Sequence, residues 1–90
     1  MARKIPIISL EDFEANAKKG QVFKSLVSNV ANGIEDNLES VNIAEIKNHN
    51  VILNVSRSEW EGGLNKALEF YIEREEYEEC SKIKNLISKL

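Results

Sequence analysis

Reactive side chains are scarce in this sequence. Its 90 residues include one cysteine, one histidine, one proline, one tryptophan and four glycines. With Cys80 alone, no disulfide can close within the chain. One cysteine and one histidine cannot build a zinc site. His49 sits in the polar quartet Lys47, Asn48, His49, Asn50 with no nucleophile or second base beside it. That context reads as an exposed turn residue and not as a general base. No Ser-His-Asp arrangement with plausible partners is present, and Gly62–Gly63 has neither the lysine nor the spacing of a phosphate-binding loop. No apolar run reaches the ~18 residues of a membrane-spanning helix. The stretch from Ile5 to Leu10 is too short for a signal peptide, so the expected compartment is the cytoplasm.

Strong charge of one sign is missing too. The net charge is −3, unevenly spread. Residues 1–31 hold five basic and three acidic side chains, and residues 32–90 hold seven and twelve. A duplex-DNA binder carries a dense basic stripe. Here Lys18, Lys19 and Lys24, with Arg3 and Lys4, are candidate phosphate contacts, but the charge total speaks against nucleic acid as the partner. The composition is 42% hydrophobic and 30% charged, an ordinary balance for a folded domain. Ninety residues make one domain with a thin core, which a homo-oligomer would supplement.

Residues 1–9 read as an extended arm or edge strand, because Pro6 lacks the N–H that a central strand position needs. Ser9 before Leu10, Glu11 and Asp12 is a helix N-cap with acids in the first turn, and Lys18, Lys19 and Gly20 look like the matching stop. The expected first helix spans residues 10–18. Val22, Phe23, Leu26, Val27, Val30, Ala31, Ile34 and Leu38 then recur at helical spacing, with Gly33 weakening the far end and Asn37 ending it. Val41, Ile43 and Ile46, then Val51, Ile52, Leu53 and Val55, flank the Asn-rich quartet and predict a β-hairpin. Its first strand alternates imperfectly.

Residues 58–90 predict an αα-hairpin. Ser58 and Glu61 have capping-box spacing, and Trp60, Leu64, Ala67, Leu68, Tyr71 and Ile72 follow as one stripe. Gly62 and Gly63 in the first turns suggest close packing there. Tyr77, Cys80, Ile83, Leu86, Ile87 and Leu90 form a second stripe, and Leu68, Ile72, Tyr77, Ile83 and Ile87 are the expected seam. Cys80 on that stripe reads as a small core hydrophobe. The expected fold class is α+β: two N-terminal helices, a two-stranded antiparallel hairpin and a C-terminal αα-hairpin, with the helices on one side of the sheet.

The stretch LNKALEFYIEREEYEECSKIKNLISKL, residues 64–90, resembles the UVR motif. Leu64, Leu68 and Ile72 match its first helix, Glu75 and Glu76 its acidic joint, and Tyr77 and Glu78 its aromatic-acid pair. Ile83, Ile87 and Leu90 match its second stripe. Cys80 and Ser81 stand where alanines are usual, Lys84 where arginine is common, and Asn85 where aspartate is common. That motif occurs at the tails of bacterial nucleotide-excision-repair subunits and in protease adaptors. The resemblance covers about a third of the chain and implies docking on a protein partner. Residues 1–63 carry no helicase or nuclease motif, so excision repair does not follow.

Together these features predict a non-enzymatic adaptor or regulator with no cofactor and no metal. Its candidate partner-binding residues are Trp60, Tyr71, Glu75, Glu76, Tyr77 and Glu78. The acidic run Glu73 to Glu79 lacks calcium-loop spacing and reads as a solvated face or a match for a basic groove. For Trp60, core and interface are both open. Three other expectations stand beside the adaptor: a phage-type inhibitor of a host enzyme, a nucleic-acid-associated accessory protein, and an oligomer that sequesters a small molecule at its interface.

Overall fold

A computed structural model describes residues 5–90. The elements run β1 (Ile7–Ile8), α1 (Leu10–Glu14), α2 (Lys19–Glu35), β2 (Ser40–Ile46), β3 (Val51–Ser56), α3 (Arg57–Glu73) and α4 (Tyr77–Ser88). The chain is α+β. Its sheet has three strands in the order β1-β2-β3, so the expected two-stranded hairpin is enlarged. Ile7 and Ile8 pair in parallel with Glu45 and Ile46, while β2 and β3 are antiparallel. Pro6 stands just before β1, and its carbonyl accepts from the Glu45 N–H at 2.9 Å, so its missing donor costs the ladder nothing.

The uneven pattern of β2 comes from a bulge. Asn42 pairs with Asn54 and Ala44 with Leu53, so Ile43 is the extra residue. A bulge shifts side-chain parity by one. Val41 faces the helices before it, and Ala44 and Ile46 face them after it; all of these, and Ile43, are buried. On the opposite face, Asn54 donates to Asn42 Oδ1 at 3.0 Å and Ser40 Oγ at 3.2 Å, giving a polar surface.

The first helix is shorter than expected. Ser9 Oγ accepts from the Asp12 N–H as an N-cap should. The helix nevertheless stops at Glu14, because Asn16 takes a left-handed conformation with φ 57°. Lys19 and Gly20, read as a stop signal, instead belong to the first turn of α2. Helices α1, α2 and α3 all close with the same pair of backbone bonds. Ala17 to Asp12, Leu38 to Gly33 and Glu76 to Tyr71 are the long ones; Asn16 to Phe13, Asn37 to Ile34 and Glu75 to Ile72 are the short ones. This Schellman closure needs one left-handed residue just past the helix, usually glycine. Here the residues are Asn16, Asn37 and Glu75, and no glycine has positive φ.

Helix α3 starts two residues earlier than expected. Ser56 is its N-cap, and the reciprocal partner is Glu59, whose carboxylate accepts from the Ser56 N–H at 3.3 Å. Ser58–Glu61 is therefore not the capping box; β3 runs straight into the helix and leaves Ser56 as the hinge. Helices α2 and α3 cover one face of the sheet, and α4 folds back on α3. The core joins Leu26, Val27 and Val30 of α2, Val41 and Ile43 of β2, Trp60, Leu64, Ala67 and Tyr71 of α3, and Cys80, Ile83 and Leu86 of α4.

Gly33 is central to this packing. A Cβ there would lie 2.7 Å from Trp60 Cη2 and 2.9 Å from Val41 Cγ1, so the missing side chain is the space the indole fills. Gly63 is similarly close to Leu26, at 3.1 Å, but nothing lies within 4 Å of a Cβ at Gly62. The expected close packing thus applies to only one of the pair.

Candidate functional site

The joint between α3 and α4 consists of Arg74, Glu75 and Glu76. Its tightness follows from the Schellman closure, in which Glu75 has φ 58°. Among the described residues the other four left-handed non-glycine residues are asparagines, the residue type that tolerates this region best after glycine. A β-methylene and carboxylate at Glu75 cost roughly 1 kcal/mol of backbone strain there. Glu75→Gly should therefore raise stability by about 1 kcal/mol. Chemical denaturation checks this, and a loss of stability would place Glu75 outside the left-handed region.

The structure redistributes the candidate residues. Trp60 is wholly buried, and its Nε1–H donates to the Val55 carbonyl at 2.9 Å, with the Arg57 guanidinium 4.8 Å from the ring centroid. Tyr71 is also buried and meets Phe70 edge-on at 5.1 Å. Both are core residues, which removes them from the accessible surface. Burial pushes the Tyr71 phenol above its ordinary range, Glu79 and Glu76 add to this, and Arg74 opposes it. Glu75, Glu76, Tyr77 and Glu78 are all exposed.

Two members of the expected seam are outside it. Ile72 is 48% exposed and Tyr77 is 63% exposed. Trp60, Leu64, Ala67 and Tyr71 already complete the buried stripe of α3, and Ile72 lies one residue, about 100°, beyond it. Tyr77 falls on the α4 stripe by spacing but is that helix's first residue, past the last turn of α3. The inner positions Cys80, Ile83 and Leu86 are buried as expected. Sequence spacing alone therefore missed Ile72 as a surface residue; the signal was its redundancy next to a finished stripe.

The result is an exposed isoleucine and an exposed tyrosine amid exposed Glu73, Glu75, Glu76 and Glu78. Among the described residues Glu76 pairs with Arg74 at 3.1 Å, with about half or more of each side chain exposed. Glu78 and Glu79 sit in the first turn of α4, where carboxylates complement the helix dipole.

Among the described residues the basic candidates border two different cavities. Lys18 and Lys19 border a small cavity of about 120 Å³ with Asp12, Phe13, Asn16, Val22 and Phe23. The Lys19 ammonium lies 5.8 Å from the Phe23 ring centroid and 5.9 Å from that of Phe70. Lys24 borders a separate open groove with Ile5 and Pro6. Arg3 and Lys4 lie outside the described residues. His49 is exposed in the β2–β3 turn, between Asn48 and Asn50, both with positive φ. Among the described residues no group of three or more His, Cys, Asp or Glu side chains is arranged to hold a metal ion, and no helix is long and apolar enough to cross a membrane.

Compared with protein-family models, with curated proteins and with solved structures, the chain matches none.

Proposed function

We propose that this protein is a non-enzymatic interaction module, an adaptor or regulator, that docks on a protein partner through the joint of its C-terminal helical hairpin. The observation that carries this reading is Tyr77, an aromatic ring 63% exposed at a joint whose Glu75, Glu76 and Glu78 are exposed too, with Ile72 exposed at the end of α3. An aromatic anchor ringed by polar groups is the usual anatomy of a binding hot spot. The carboxylates around it favour a partner with a basic groove. The strained Glu75 is in keeping with this, since strain is retained where function opposes stability. The UVR-like pattern of residues 64–90 points the same way.

The test compares proteins captured from native lysate by the wild type, by Glu75→Lys/Glu76→Lys, and by Tyr77→Ala. All three substituted side chains are exposed, so each variant should keep its stability within about 1 kcal/mol. A partner bound by the wild type should be lost with both variants and retained by a Lys24→Glu control. Undiminished binding by the joint variants would refute the reading.

A further inference from the structure

The sheet's two edges are built differently. On one side β1 is only two residues long and follows Pro6, both of which blunt an edge against further pairing. On the other side β3 runs Val51–Ser56, six residues with no charge and no proline, and the bulge lies in β2 rather than in β3. No other described strand pairs with its outer side. A strand of this kind presents a row of backbone donors and acceptors that templates another strand, and soluble proteins rarely leave one uncovered.

The side chains of β3 say which strand fits. Val51, Leu53 and Val55 face the helices, paired with Ile46, Ala44 and Val41, yet Val51 is 46% exposed and the other two are only partly covered. The apolar layer thus runs out at this edge with its last row unfinished. Antiparallel pairing about a two-fold axis through a residue of the strand opposes inward side chains to inward ones. It would set this apolar row against itself. In a chain of net charge −3 with 30% charged residues, β3 is also a neutral strip, where two identical acidic molecules can meet without like charges face to face.

We infer that the β3 edge is the interface between two copies of this chain, which pair β3 against β3 in antiparallel fashion to form one six-stranded sheet. This surface is separate from the hairpin joint, so neither proposal depends on the other.

Sedimentation equilibrium on the wild type should show a dimer. Ile52→Lys/Asn54→Lys, which alters two exposed side chains on the sheet's polar face, should be monomeric with an unchanged circular dichroism spectrum. In the wild type, hydrogen exchange at the amides of Val51–Ser56 should slow as protein concentration rises. A wild type that stays monomeric at high micromolar concentration would overturn the inference. So would a variant as dimeric as the wild type, or β3 amide exchange that ignores concentration.

Discussion

Ile83→Asp is expected to unfold most of the molecules at room temperature. Ile83 is wholly buried in the cluster that joins α4 to α3 and the rest of the core. The buried polar side chains among the described residues are Ser25 and Asn29, both on α2, where the Asn29 amide donates to the Ser25 carbonyl and hydroxyl. A carboxylate at position 83 would find no cation within the core. It must be buried unpaired, take up a proton, or force α4 off α3, each costing several kcal/mol. A small domain has about 5 kcal/mol or little more in total. Urea unfolding followed by Trp60 fluorescence reads the result directly. A variant with near wild-type stability would mean that the two helices pack in another register. The contrast with Glu75→Lys/Glu76→Lys is useful, because charges reversed on an exposed joint leave the seam untouched.

Trp60→Ala should cost about 3–5 kcal/mol, the range for deleting a large aromatic from a core. The indole is wholly buried, donates to the Val55 carbonyl, and lies against the bare Cα of Gly33. That last contact makes a sharper prediction. On helix propensity alone, Gly33→Ala would stabilise α2 by about 1 kcal/mol. In the wild type it should destabilise instead, because the new methyl would sit 2.7 Å from Trp60 Cη2 and 2.9 Å from Val41 Cγ1, both on buried residues. Beside Trp60→Ala the same methyl meets space, and Gly33→Ala should become neutral or favourable. The double-mutant cycle would then show a coupling of at least about 1 kcal/mol between two residues 27 positions apart in sequence. Additive effects would disprove the contact.

What could be read in the residues alone was mostly local. The Ser9 cap, the Asn37 stop and the inner positions of the stripes of α2, α3 and α4 depend on hydrogen bonds and spacing within one or two turns, and these survive in the fold, whereas the end positions Leu38, Ile72, Tyr77 and Leu90 are exposed. The burial of Cys80 on its stripe belongs to the same class. Signals with two local meanings failed. Lys18–Lys19–Gly20 could end one helix or begin the next, and Asn16, taking the left-handed position first, decided for the latter. Ser58–Glu61 and Ser56–Glu59 have the same capping-box spacing, and the length of β3 selected the second.

Everything that depends on which surface lies opposite was settled only by tertiary structure. Ile7–Ile8 becomes a strand because the Glu45 and Lys47 amides are there to receive it, and the bulge at Ile43 exists only against the register of β3. Gly33 weakens a helix when read along the chain; across it, the glycine admits the indole. Ile72 and Tyr77 carry the same hydrophobic signal as Ile83, but they lie where α3 ends and α4 begins, outside the core cluster that encloses Ile83, so the same chemistry that fills the core at one position is left on the surface at the other two. Periodicity specifies a side chain's direction from its own backbone; burial requires a second backbone on that side, and only the packed fold supplies it.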